Sequence, residues 1–146
     1  MARQIAPLTD YPLQTYEKLR YADTDRQGHV NNAVFSTMLE TGRVELLYAP
    51  GSPLFAEGCA FVIASLYLDF HGEITWPGQV DIGTRVSNIG RSSVTLEQGV
   101  FQDQQCVASA QTVIVQMNES TRRSHPLNEM ALSRLGALLP HLVEGH

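Results

Sequence analysis

Apolar side chains change their spacing along the chain, and each change marks an element. After a lead-in over residues 1–12 that contains Pro7 and Pro12, residues 13–21 mix apolar, aromatic and β-branched side chains and suit a first strand, although their alternation is weak. Over residues 33–48, Val34, Phe35, Met38, Leu39, Gly42, Leu46 and Leu47 fall near helical spacing and predict one helix of about four turns. Asn31 and Asn32 stand before it as good amino-terminal caps, and Ala49-Pro50-Gly51-Ser52-Pro53 ends it. Beyond Cys59 the period falls to two. Ala60, Val62, Ala64, Leu66, Leu68 and Phe70 are expected on one face of a strand. Val80, Ile82, Thr84 and Val86 form a second alternating set, Val94, Leu96, Gln98 and Val100 a third, and residues 107–117 a fourth. Trp76-Pro77-Gly78, Ile89-Gly90-Arg91 and Asp103-Gln104-Gln105 supply the connections. A short closing helix over residues 126–139 carries Leu127, Met130, Leu135 and Leu138, with Pro126 at its first position.

The order strand, helix, four strands, helix predicts an α+β fold, and short connections between consecutive strands favour an antiparallel sheet. The long helix is apolar over more than a narrow stripe, so the sheet is expected to curve around it. The outer sheet face, with Arg85, Glu97 and Gln111, then meets water or a second subunit.

Composition narrows the function. A chain of 146 residues, 43% apolar and 17% charged, fits a single domain with its own core. The net charge is −5, and nine of the ten basic residues are arginine, which argues against a nucleic-acid partner and leaves only local arginine clusters as anion sites. Cys59 and Cys106 sit in no metal or redox spacing, so neither a metal site nor a disulfide is expected. No apolar run has the length of a signal peptide or a membrane span, and a cytoplasmic location without membrane association is the expectation.

The densest polar segment, Tyr21 to Asn32, lies between the first strand and the long helix. It offers two carboxylates, a glycine that lets the backbone approach a ligand, and the unpaired N–H groups of a helix start. Such N–H groups, at the positive end of the helix dipole, can polarise a carbonyl and stabilise an oxyanion. A carboxylate nearby can attack that carbonyl or activate water. If the chain is still extended there, Asp23 and Asp25 share a face about 6.6 Å apart, too far to share a proton.

Asp23-Thr24-Asp25-Arg26-Gln27-Gly28-His29-Val30-Asn31-Asn32, followed by Phe35 and by Glu40 to Leu47, resembles the signature and helix of the hot-dog-fold acyl-CoA thioesterases of the 4-hydroxybenzoyl-CoA thioesterase type. Trp76-Pro77-Gly78-Gln79-Val80 and Ile89-Gly90-Arg91-Ser92-Ser93 are similar to that family's third-strand entry and hairpin. The resemblance covers residues 13–139 and implies hydrolysis of acyl-coenzyme A thioesters, without a metal or other cofactor, by a homodimer or homotetramer. It implies Asp25 as the catalytic carboxylate, as nucleophile or general base, and the Asn32 backbone N–H as the carbonyl-polarising donor. Phe35 replaces the family's usual tyrosine.

Around this pair, Gly28, His29, Asn31 and Phe35 are candidates for substrate contact, with His29 and Asn31 also serving the local structure. Glu40 is a reserve catalytic carboxylate, because other hot-dog branches use a helix-borne glutamate; its competing role is a helix charge near Arg43. Coenzyme A is a polyanion on a thin arm, and Arg91, Ser92, Arg122 and Arg123 are candidates for its phosphates. Val34, Phe35, Met38 and Phe61 could line an acyl tunnel. Two other readings remain open: a thioesterase for acyl groups on a carrier protein, and a hot-dog module that binds an acyl ligand without turnover.

Overall fold

A computed structural model describes residues 6–25 and 28–140. The lead-in residues 1–5 and the motif residues Arg26 and Gln27 lie outside the described residues. Five strands, β1 (Leu13–Lys18), β2 (Cys59–Phe70), β3 (Gln79–Ile89), β4 (Ser93–Gln102) and β5 (Gln105–Asn118), form one antiparallel sheet in the order β1-β3-β4-β5-β2. The long helix α1 (Asn32–Leu47) packs on β1, β3 and β4, and a short α2 (Glu129–Gly136) follows β5.

The alternating sets of β3 and β4 face α1: Val80, Ile82, Thr84, Val86, Val94, Leu96, Gln98 and Val100 are all buried. They enclose two apolar clusters. One gathers Phe35, Met38 and Leu39 from the first half of α1, and the other joins Leu46 and Leu47 to Ala131 and Leu135 of α2. The boundaries of the flanking elements shift from the sequence expectation. β1 ends at Lys18, because the chain turns into a 3-10 helix at Tyr21–Asp23. α2 begins only at Glu129, since the Asn128 side chain, and not Pro126, supplies its cap by accepting from the Ala131 N–H; Met130 faces outward.

β2 departs furthest from its pattern. Its register against β5 shifts between Ile63 and Ser65, and a one-residue bulge reverses which side chains face α1. Phe61 and Ile63 therefore share the inner side with Leu66, Leu68 and Phe70, while Ala60 and Val62 turn away. On the outer sheet face, Tyr11 lies over Gly83 and Gly99, beneath the Arg85 guanidinium, and Arg85 pairs with Glu97 at 2.9 Å.

The polar Gln98 within an apolar strand sets how α1 sits. Its Nε2 donates to the Leu39 carbonyl of α1 and to Thr84 Oγ1, both at 3.0 Å. That approach needs a glycine on the helix: a Cβ at Gly42 would fall 2.6 Å from Gln98 Nε2 and 2.9 Å from Thr84 Oγ1. Gly42→Ala is expected to destabilise the chain by about 1–3 kcal/mol despite its better helix propensity, because relieving the overlap breaks a buried bond. A urea unfolding midpoint equal to the wild type's would refute this.

Candidate active site

The polar segment folds as a tight reversal between β1 and α1. Arg20 and Asp23 hold its entry: Arg20 Nη2 and its backbone N–H donate to the Asp23 carboxylate at 2.8 and 3.1 Å. Asp23 is 6% exposed, and its main-chain carbonyl accepts from the Asn31 N–H at 2.9 Å. Hydrogen bonding from the Arg20 side chain, the largest effect, holds the Asp23 carboxyl below its ordinary value, against the opposing cost of burial. A depressed folded pKa stabilises the fold above the unfolded value of 3.8, and that contribution disappears as pH falls through the folded pKa. Melting temperatures of the wild type and Asp23→Asn should therefore differ at pH 7 and converge in acid below that value; a constant gap would refute the pair's role.

Beyond Thr24, which bridges Val30, the chain turns at Asp25. The Asp25 N–H donates to the His29 carbonyl at 2.8 Å, the Gly28 N–H to the Asp25 carbonyl at 3.2 Å, and the His29 N–H to Asp25 Oδ1 at 3.2 Å. Gly28 takes φ +80°, a left-handed conformation that costs glycine little. Asp23 and Asp25 are thus not neighbours on an extended strand: Asp23 closes the 3-10 helix as a buried, ion-paired residue, and Asp25 stands exposed at the turn beyond it.

α1 begins next to this turn. Asn31 is its cap, with its side chain accepting from the Ala33 N–H at 2.9 Å and its carbonyl from the Val34 N–H at 2.9 Å. Asn32 is the first helical residue rather than a second cap, and among the described residues nothing accepts from its backbone N–H. One short reversal thus presents an exposed carboxylate and a free helix-start donor.

The remaining candidates divide. His29 Nε2 lies 3.2 Å from Glu73 Oε2, and its strand-like pairing with Thr75 fixes the turn to the segment after β2. Phe35 is 1% exposed and meets the Phe70 ring edge-on at 5.0 Å, so in the single chain it belongs to the core, as does Met38. Val34 and Phe61 are half-buried. Glu40 is exposed on the α1 stripe that faces β2. Burial pushes the Cys106 thiol up, away from nucleophilic use.

Arg91, Ser92, Arg122 and Arg123 gather at the opposite end of the sheet. The Gln116 N–H donates to the Ser92 carbonyl, the Leu127 N–H to that of Arg91, and the Asn118 N–H to that of Arg123. β5 pairs with Phe70 at one end and with Cys59 at the other, so roughly 30 Å of strand separates these arginines from the Asp25 turn. A single chain does not unite them. Sequence reasoning also missed Arg20 and Glu73. The spacing of Arg20 to Asp23 is a local signal that could have been read, but nothing local links Glu73 to His29.

Residues 19–135 match the thioesterase-like superfamily, and the chain belongs to it. None of the curated proteins matches the sequence. Among solved structures, a Pseudomonas aeruginosa protein superposes with a TM-score of 0.80 at 23% identity, over 92% of this chain and 96% of its own. A Thermus thermophilus thioesterase complexed with coenzyme A and zinc superposes at 0.75 with 29% identity, over 88% and 95%. A Staphylococcus aureus protein in complex with coenzyme A reaches 0.79 at 11% identity, over 91% and 89%, a likeness of fold alone. The architecture is the hot-dog fold, with the sheet wrapped around α1. Among the described residues, no three His, Cys, Asp or Glu side chains group as a metal site, and no helix is long and apolar enough to cross a membrane.

Proposed function

We propose that this chain hydrolyses acyl-coenzyme A thioesters to the free acid and coenzyme A. The observation that carries this reading is the reversal joining the exposed Asp25 carboxylate to the Asn32 N–H at the start of α1, which has no acceptor among the described residues. The thioester carbonyl accepts from Asn32, where the helix dipole favours the negative charge that develops on its oxygen. Asp25 either attacks the carbonyl carbon, expelling the coenzyme A thiolate and leaving an anhydride that water opens, or takes a proton from the water that attacks. Membership of the thioesterase-like superfamily and the coenzyme A complex of the 29% identical thioesterase support the substrate class.

The reading calls for a second copy. β2 is an unpaired outer strand, and antiparallel pairing of two such strands about a two-fold axis would bring the arginine end of one chain beside the Asp25 turn of the other. Arg91, Arg122 and Arg123 of the partner subunit then meet the phosphates while the pantetheine arm runs toward Asp25. The test is release of free thiol from a panel of acyl-CoAs of different chain length and aromaticity, alongside the same acyl groups on carrier protein. Turnover of coenzyme-bound substrates is expected. Saturable binding without hydrolysis, or hydrolysis of carrier-bound groups alone, would overturn the proposal.

A further inference from the structure

The Asp25 turn leans on the short segment between β2 and β3, and that segment is held in its turn by the end of the β4–β5 hairpin. Just after β2, the His71 and Gly72 N–H groups both donate to the Val107 carbonyl of β5, at 2.8 and 3.2 Å. Val107 is the extra residue where the β4–β5 register shifts between Val100 and Phe101, a position the strand ladder leaves unpaired. Ile74 is fully buried in the core, and its carbonyl accepts from the Val30 N–H at 2.8 Å. Thr75 then faces His29 across the strand-like bridge.

Thr75 is where the hairpin takes hold. In an antiparallel pair, a residue whose neighbours make the cross-strand bond turns its own N–H and carbonyl to the opposite side. The bond from Val30 to Ile74 puts Thr75 in that position, with both groups directed away from His29. Gln102, the last residue of β4, meets both of them. Its Oε1 accepts from the Thr75 N–H at 3.1 Å, and its Nε2 donates to the Thr75 carbonyl at 2.8 Å. A side-chain amide carries an acceptor and a donor side by side, and here it stands where the peptide of a neighbouring strand would. The hairpin turn fixes its place: Asp103 and Gln104 both take positive φ, 51° and 70°, as a two-residue turn matched to the strand twist requires.

A run of contacts thus leads from Gln102 through Thr75 to His29, whose N–H and carbonyl close the Asp25 turn at 3.2 and 2.8 Å. Burial of Ile74 sets the depth of the segment, but an apolar contact has no direction and leaves its rotation open. The two bonds to Gln102 are directional. They are also exposed, so water replaces them at little cost in stability, and their loss is felt as misplacement rather than unfolding. We propose that Gln102 is a positioning residue for the hydrolysis: its amide sets the rotation of the segment at Thr75 and, through His29, the aim of the Asp25 carboxylate at the carbonyl held by Asn32. This rests on the roles of Asp25 and Asn32 given above and adds what keeps the two in register. Gln102 touches neither Asp25 nor substrate, yet a displacement of about 1 Å at a reacting group can cost about a hundredfold in rate.

The experiment pairs acyl-CoA kinetics with amide hydrogen exchange of the substrate-free protein over the Asp25 turn. Gln102→Ala removes both bonds. Its kcat is expected to fall about 10–100-fold with KM within about twofold of the wild type, and the turn to exchange faster while the sheet does not. Gln102→Glu keeps the acceptor but sets a carboxylate against the Thr75 carbonyl at neutral pH. Protonation restores a donor there, so activity relative to the wild type at the same pH should recover as the pH falls toward about 5. A merely structural contribution gives no such recovery. Gln105→Ala, at the exposed position opposite Gln102, is expected to match the wild type throughout. Wild-type kcat in folded Gln102→Ala overturns this proposal and leaves Asp25 in its role. A slowed variant whose turn exchanges as the wild type's does, or a Gln102→Glu variant with no recovery in acid, overturns it equally. A wild type that hydrolyses no acyl-CoA overturns the functional reading and this proposal with it. If Gln102→Ala fails to fold by circular dichroism, the acid recovery of Gln102→Glu decides.

Discussion

Asn32→Pro is expected to leave α1 folded and to lower kcat for acyl-CoA hydrolysis by about 10²–10³-fold, the cost of deleting one oxyanion donor. A side-chain substitution cannot remove a backbone N–H, but proline can, and this position tolerates it. Asn32 is the first residue of the helix, where proline's fixed φ is already suitable and no helical bond depends on the missing hydrogen. Asn31 precedes it with φ −61° and ψ 137°, the extended conformation that a residue before proline prefers. Its side-chain cap to the Ala33 N–H can remain. Circular dichroism should show unchanged helix content beside the lost turnover. Wild-type kcat in a folded Asn32→Pro variant would remove this N–H from the mechanism, and Asn32→Ala, which keeps the N–H, provides the control.

Asp25→Asn is expected to lower kcat by about 10²–10⁴-fold under a general-base mechanism, and at least as severely if the carboxylate is the nucleophile, with a much smaller change in KM. The substitution preserves shape. The Asn side-chain oxygen can still accept from the His29 N–H, as Asp25 Oδ1 does at 3.2 Å, so the turn should persist while the charge is lost. Single-turnover kinetics with one acyl-CoA substrate would separate the chemical step from binding. Full activity in this variant would refute the role of Asp25.

Much of the fold can be read locally. Val80, Ile82, Thr84 and Val86, and the matching set in β4, are buried as their alternation predicts, because a strand with one covered face sends every second side chain inward. Asn31 caps α1 because a short polar side chain can reach the exposed amides of the first turn. The candidate site was legible as a segment, but the roles within it were not. Two aspartates two residues apart look equivalent in sequence; the 3-10 helix and Arg20 make one a buried strut and leave the other exposed. Gln98 reads as an interruption of an apolar strand until its amide is seen holding the Leu39 carbonyl.

The sequence by itself determined the order of elements, the period of each, the helix start and the turn that carries Asp25. These depend on neighbours a few residues apart, whose sterics and hydrogen bonds the local chain already contains. Only the tertiary structure decided that β2 is an outer strand with a bulge at residue 64, that Phe35 packs inward, and that the arginines near residues 91 and 122 lie at the far end from Asp25. Those outcomes follow from which strands pair and in what register. Pairing is chosen by burial summed over residues distant in the chain, and a single bulge is enough to exchange the two faces of a strand.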